Sequence, residues 1–276
     1  MKRFDLISDL HIEFWLKPAG RFAREQQHDA EAFVRSLLPG DVSNTLVIAG
    51  DLGHYNELNY EVLQAFKRYY TNILVVAGNH DYYVLDAAAM QRAPQTASID
   101  RWTQMKTLAT ALSGVHILEG RTISLDGIRF GGTGMWYDFE YSLQVLGLSW
   151  ASVLEAWSTR MNDRTYLTGL PLRTLEMFRE EKARLQRVIA SSDVLVTHVS
   201  PDWSSVSAMF ARDPLSGCFY FDGSDFFAAT HGKLWCSGHV HQRHSYVRHG
   251  CRFINNSLGY PAENSRTPGK IVTLIC

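Results

Sequence analysis

Thiols are scarce in this 276-residue chain: four cysteines, Cys218, Cys236, Cys251 and Cys276, all in the last quarter and none in a Cys-x-x-Cys spacing. A disulfide framework or a cysteine zinc site is therefore not expected, and the reading is of reduced thiols in a cytoplasmic chain. No run of 18 consecutive apolar residues occurs, so no membrane-spanning helix is expected. The stretch from Met1 to His11 carries two basic residues but no long apolar run and no small-residue cleavage site, so no signal peptide is expected either. An excess of one charge is also missing: 27 Lys and Arg stand against 28 Asp and Glu, a formal net charge of -1. That excludes an overall electrostatic footprint for nucleic acid, though not a local patch. No repeat, low-complexity tract or Pro/Gly-rich linker divides the chain, which predicts a single domain over residues 1–276. What is present is globular: 46% hydrophobic and 20% charged residues, enough apolar material for a large core.

Short apolar runs rich in Val, Ile and Leu predict strands covered on both faces at Arg3–Ser8, Thr45–Gly50, Ile73–Gly78 and Asp193–Thr197. Helices are predicted between them at Asp29–Leu38, Leu58–Tyr70 and Leu172–Ser191, the last opening after Pro171 with Leu175, Phe178, Leu185, Val188 and Ile189 on one face. Further strands are predicted at Ile128–Thr133, Lys233–Cys236, Cys251–Asn255 and Lys270–Ile275. The stretch Tyr137–Leu170 reads as helix plus a covering loop. The pattern is that of an α/β domain whose sheets are flanked by helices.

Several apolar runs end in the same kinds of residue. The first leads into Asp9-Leu10-His11, the second into Gly50-Asp51, and the third into Gly78-Asn79-His80-Asp81. The Asp193–Thr197 run leads into His198, and Leu-Trp-Cys-Ser-Gly leads into His239-Val240-His241. In α/β sheets ligands sit beyond the carboxyl ends of strands, so five strand ends converge on one place. Residues two apart on extended backbone point the same way, which would align Asp9 with His11 and His239 with His241.

Imidazole nitrogens and carboxylate oxygens without thiolates suit manganese first, with iron, zinc, cobalt or nickel as alternatives. The donors divide into two sets, Asp9, His11, Asp51 and His241 against Asp51, Asn79, His198 and His239. Asp51 would bridge two ions roughly 3.5–4 Å apart, the spacing of two-metal hydrolytic sites. Two divalent ions, less Asp9, Asp51 and a bridging hydroxide, leave about +1, a charge suited to a phosphate ester.

Taken together, Asp9-x-His11, Gly50-Asp51, Gly78-Asn79-His80-Asp81, His198 and Gly238-His239-x-His241 resemble the calcineurin-like metallophosphoesterases over residues 9–241. The resemblance implies a four-layer αββα sandwich of two mixed sheets flanked by helices, with a dinuclear metal site at the strand ends. It also implies that His80 is not a ligand but contacts phosphate and serves the leaving oxygen, with Asp81 orienting its imidazole. His54, Asn79 and His80 are the expected substrate contacts. Leu-Gly-His after Asp51 departs from the Asp-Arg-Gly of serine/threonine protein phosphatases, and the tyrosine ligand pattern of purple acid phosphatases is absent. The second domain of 5'-nucleotidases does not fit this length. Gly131–Phe139 (GGTGMWYDF) is similar to a stretch in small bacterial-type phosphoesterases.

The mechanism implied is in-line attack by a metal-bridging hydroxide on a phosphodiester or small phosphorylated metabolite. No motif supplies a nucleophilic Ser or Cys with its own base, so no covalent phospho-enzyme is expected. Two alternatives are a nuclease of the same family, disfavoured by the balanced charge, and a non-catalytic scaffold, which would lack a ligand or His80. Tyr82, Tyr83, Trp136, Tyr137, Asp138, Trp203 and Arg243 are further candidates for the pocket or its rim. His28, His116, His231, His244 and His249 belong to no motif.

Overall fold

The computed structural model describes residues 2–16, 23–93, 95–170, 175–263 and 270–276. Strand β1 (Arg3–Ile7) is followed by helix α1 (Ala23–Leu37), β2 (Thr45–Ile48), α2 (Asn56–Phe66), β3 (Asn72–Val75), α3 (Ala87–Arg92), α4 (Ala97–Thr110) and β4 (Val115–Ile117). The chain continues through β5 (Arg121–Leu125), β6 (Ile128–Gly132), α5 (Trp150–Arg160), α6 (Asp163–Tyr166) and α7 (Glu176–Val188). It ends with β7 (Val194–Val196), α8 (Ser224–Phe227), β8 (Leu234–Ser237), β9 (His244–Arg248), β10 (Cys251–Asn255) and β11 (Val272–Ile275).

Two mixed sheets result. The first runs β11-β1-β2-β3-β4, with β11 antiparallel at its edge. The second runs β5-β6-β7-β8-β10-β9, parallel in its middle and antiparallel at both edges. Alternation along each strand sends one side chain set inward between the sheets. Phe4 and Leu6, Val47, Leu74, Phe130, Val194 and Val196, Cys236 and Ile254 form that inner layer. Phe4 meets Phe130 edge-on across it at 5.2 Å. The opposite set, Ile48, Ile73 and Val75 on one sheet and Leu195, Trp235 and Phe253 on the other, packs outward in the same cluster as Val62 and Phe66 of α2 and Leu185 and Val188 of α7. Each such fully buried side chain contributes roughly 1.5–3 kcal/mol, and the sum holds the four-layer arrangement that the motifs implied.

Register places the site. Ile7 lies level with Ile48 and Ile48 with Val75, while Val196 lies level with Cys236 and Cys236 with Ile254. All the central strands therefore stop at one edge, and the residues following them emerge together.

The apolar runs map onto β1, β2, β3, β6, β7, β8, β10 and β11, trimmed by one to three residues at several ends. Strands β5 and β9 carry no continuous apolar run because they are sheet edges with one face in water; Val247 of β9 is 71% exposed. Helix α4 presents Ala97, Ser98, Trp102, Met105 and Ala109 inward, too few large side chains to make an apolar stripe. Helix α7 buries Phe178, Leu185 and Val188 as its spacing predicted, while Pro171 and residues 172–174 lie outside the described residues. Tyr137–Leu170 folds into a π-helical turn at Tyr141–Val145 followed by α5 and α6. No described helix is long and apolar enough to cross a membrane.

Candidate metal centre

The expected alignment of Asp9 with His11 on extended backbone is not what brings them together. Asp9 (φ 53°), His11 (φ 43°), Asp51 (φ 56°) and His239 (φ 66°) all take left-handed backbone, which costs a non-glycine residue of order 1–3 kcal/mol. Four strained residues just beyond three strands, β1, β2 and β8, are the mark of a site that the surrounding fold over-determines. The chain turns sharply after each strand, and the turn aims the side chain.

All seven expected donors meet. The His11 Nε2 lies 3.0 Å from the His241 Nε2 and 3.7 Å from the Asp51 Oδ2. The His241 Nε2 is 3.6 Å from the Asp9 Oδ1. On the other side, the His198 Nε2 lies 3.3 Å from the Asp51 Oδ2 and 3.3 Å from the Asn79 Oδ1. Asp9, His11 and His241 form one group whose ligand atoms lie within 4.8 Å of one another, and Asp51, His198 and His239 form a second. Asp51 stands between the groups.

Other contacts fix ring orientation. The His198 Nδ1 lies 2.9 Å from the Ala49 carbonyl and the His239 Nε2 lies 2.9 Å from the Cys218 carbonyl, so each ring turns its other nitrogen to the site. The His241 Nδ1 meets Glu263 at 2.8 Å. Asp9 accepts the His239 backbone N–H and the Ser257 hydroxyl, each at 2.8 Å, and the Asn255 amide donates to the carbonyls of Gly238 and Val240 at 2.9 Å. Sequence reasoning missed Asn255, Ser257 and Glu263. The first two follow the apolar end of β10, the same signal that marked the other strand ends.

Glycine is required at two of these turns because there is no room for a side chain. At Gly50, already at φ +90°, a Cβ would run into the His198 ring; at Gly78 it would overlap the Asp51 carboxylate.

Burial opposes ionisation of Asp51, yet the His198 imidazole beside it holds the carboxyl well below the usual range. Burial also works against charge on His198, but Asp51 keeps that imidazole up, at about 9. His239, equally buried with weaker compensation, is pushed down to about 4. The His11 Nδ1 has no hydrogen-bond partner, and His11 is itself driven toward its neutral form by burial. Two carboxylates, an amide oxygen and four imidazoles gather here with no thiolate among them, and of their fully buried side-chain atoms only the His11 Nδ1 is left without a partner. The donor set fits borderline divalent ions.

His80 sits beside this cluster. Its backbone N–H donates to the Asp51 Oδ1 at 2.9 Å and its ring stacks on Tyr83 at 4.3 Å between centroids. The expected contact from Asp81 to the His80 imidazole is not made. The two oxygens of Asp81 instead accept backbone N–H groups of Gly78 at 2.7 Å and of Asp51 and Leu52 at 3.0 Å, so this carboxylate stitches two strand-end turns together. Asp81→Ala would orphan three buried donors. It is expected to destabilise the fold by about 3–5 kcal/mol, read as a fall in Tm of roughly 5–15 °C; an unchanged Tm with lost activity would return Asp81 to a role in the chemistry.

The imidazole that does meet His80 belongs to His54, whose Nε2 lies 2.8 Å from the His80 Nδ1. His54 stands behind His80 and is not among the residues lining the cleft. Glu13 backs His54 in turn: its Oε2 accepts the His54 backbone N–H at 3.0 Å, and its Oε1 approaches the ring Nδ1 at 3.2 Å without the alignment of a hydrogen bond. Burial pushes the Glu13 carboxyl up to about 7 and the His54 imidazole down to about 4. The half-buried Arg101 guanidinium clamps the same turns through the carbonyls of Gly53, His54 and His80.

The remaining rim candidates divide. Tyr83 lines the cleft; Tyr82 and Trp136 pack against one another in the core. Asp138 turns away to accept the backbone N–H groups of Glu140 and Asp222. Arg243 donates to the Ser257 carbonyl at 2.8 Å, and Trp203 packs on Tyr141. The cleft itself has a volume of about 510 Å³. Asp51, Asn79, His80, His239 and His241 form its floor, and Met161, Val206, Phe210, Leu215 and Phe219 part of its wall.

The model of the calcineurin-like phosphoesterases matches residues 2–243. The uncharacterized protein L509 of Acanthamoeba polyphaga mimivirus is 23% identical over 280 residues, 96% of this chain and 94% of that protein. A crystal structure of the phosphopantetheinyl hydrolase PptH from Mycobacterium tuberculosis has the same fold, with a TM-score of 0.72, 21% identity, and 99% of this chain and 95% of that one covered. The chain belongs to the calcineurin-like phosphoesterases and is a hydrolase of phosphoester bonds.

Proposed function

We propose that this hydrolase cleaves a phosphodiester or a small phosphorylated metabolite with two divalent ions held at the strand ends. The observation that supports it is the convergence of Asp9, His11 and His241 on one side of Asp51 and of Asn79, His198 and His239 on the other. Two ions bound there supply Lewis acidity toward phosphoryl oxygens and bring the pKa of a bound water down to about 7. The chain's own residues do the rest. Asp9 and Asp51 offset only part of the charge that two divalent ions would bring, and the imidazoles add no negative charge, so the site stays net positive and draws in an anionic ester. With its Nδ1 tied to His54, His80 offers its Nε2 to the leaving oxygen, the atom that gains a proton as the ester bond breaks. Glu13 and His54 fix that ring from behind.

Mn²⁺ with an aryl phosphodiester and an aryl phosphomonoester tests the reading. Metal-dependent release of the aryl alcohol, abolished by a chelator, is expected. A purified protein that neither binds transition metal nor hydrolyses either ester is a scaffold instead. His54→Phe removes the nitrogen that pins His80 and is expected to lower kcat about tenfold with the Mn²⁺ content unchanged; loss of metal in that variant would place His54 among the ligands.

A more particular substrate is suggested by the name of the mycobacterial neighbour. A phosphopantetheinyl ester is a long amide-bearing chain ending in phosphate, and the apolar wall beyond the metal floor leaves room for such a chain. Faster hydrolysis of a phosphopantetheinyl ester than of the aryl diester supports this; equal rates remove it.

A further inference from the structure

We propose that Asp163 is a positioning residue for the metal centre: by accepting one proton of the Asn79 side-chain amide and holding the Tyr83 hydroxyl that accepts the other, it turns the amide oxygen toward His198 and sets the affinity of the ion on that side. This rests on the reading of Asn79 as a ligand.

A side-chain amide has two faces of nearly equal shape and opposite polarity. Only the oxygen can serve a cation; turned over, Asn79 would present an NH₂ group to it. The Gly78–Tyr82 turn fixes the Asn79 backbone but not the flip of its amide. The choice is made by residues far along the chain. The Asn79 Nδ2 donates to the Asp163 Oδ1 at 2.8 Å and to the Tyr83 hydroxyl at 3.0 Å, which accounts for both of its protons. The Tyr83 hydroxyl passes its own proton to the same Asp163 Oδ1 at 2.6 Å. The remaining oxygen faces the His198 Nε2 at 3.3 Å.

Asp163 is itself immobilised. It is 1% exposed, and its Oδ2 accepts the Tyr137 hydroxyl at 2.6 Å. That hydroxyl accepts the Trp157 Nε1–H at 2.8 Å. Helix α6, which carries Asp163, is joined to the segment after Tyr83 by the bond from the Val84 N–H to the Tyr166 carbonyl at 2.9 Å. A carboxylate in an enclosed pocket that receives three neutral donors makes bonds about twice as strong as a neutral acceptor would. The stretch Tyr137–Tyr166 thus acts on the site through one amide, and this gives it a function beyond covering the cleft wall.

The test is Mn²⁺ binding to the full chain by titration calorimetry, for the wild type, Asp163→Ala, Asp163→Asn, Asn79→Ala and the double variant Asp163→Ala/Asn79→Ala, each checked for native circular dichroism. Loss of an outer orienting partner lowers metal affinity by about 10–100-fold. Asp163→Ala is expected to weaken one of two ions by that factor and leave the other unchanged. The double variant should bind no worse than Asn79→Ala alone, because both changes remove the same interaction. A general loosening of the fold would instead give additive losses in both ions. Asp163→Asn keeps the volume and one acceptor and should weaken the same ion by several-fold; it decides the matter if Asp163→Ala does not fold. Wild-type affinity for both ions in either folded variant, or additive losses in the double variant, overturns the role of Asp163. A wild type that binds no Mn²⁺ overturns the metal reading first, and the inference with it.

Discussion

Asp51→Asn is expected to reduce bound Mn²⁺ from two ions per chain to fewer than one, and to lower turnover by at least ~10³. Asp51 is the one carboxylate set between both donor groups, 3.7 Å from the His11 Nε2 and 3.3 Å from the His198 Nε2. The substitution keeps its volume and removes one negative charge from a fully buried place where four imidazoles already gather. It also replaces an oxygen by an NH₂ group that repels a cation. Each 1.4 kcal/mol of lost stabilisation is about a tenfold loss of rate, and an ion is worth several kcal/mol to a phosphoryl transition state. Elemental analysis alongside initial rates measures both effects. Full metal content with unimpaired turnover would show that Asp51 does not join the two groups.

His80→Ala should behave in the opposite way: kcat lower by about 10²–10⁴, metal content and Tm nearly unchanged. Its hydrogen bonds to the strand-end turns come from the backbone, which the substitution keeps. Its N–H donates to Asp51 and its carbonyl accepts from Arg101 at 2.9 Å. Only the imidazole, with its bond to His54 and its stack on Tyr83, disappears. The loss should be smaller for an aryl ester with a very acidic phenol, because that leaving group departs without a proton. Equal losses for acidic and basic leaving groups would mean that His80 serves binding and not proton delivery. Loss of both ions would make it a ligand.

Much of the site was legible in the chain because its logic is local. An apolar run followed by Gly-Asp, Gly-Asn-His-Asp or Gly-His-x-His predicts a strand, a tight turn and a donor, and the parallel order of strands places such turns at one edge. Geometry within the turns was not legible. Asp9 and His11 sit two apart, a spacing that reads as extended backbone, but both residues are left-handed. A conformation that is locally unfavourable leaves no propensity signal, since only the packed sandwich holds it in place.

The roles of Asp81, His54 and Asp163 divide in the same way. Asp81 lies next to His80 in sequence, which suggests that they meet, yet its oxygens turn to three backbone donors in the two strand-end turns. His54 reaches His80 from beyond β2, and Glu13, from beyond β1, backs His54. Asp163 lies 84 residues beyond Asn79 and touches its amide only through the fold. By itself, then, the sequence determined eight of the eleven described strands and the Asp, Asn and His residues that follow several of them, because hydrophobic pattern and residue type are properties of short segments. The tertiary structure alone decided which side chain faces which. Orientation depends on buried hydrogen bonds between segments far apart in the chain, and those exist only once the two sheets have closed.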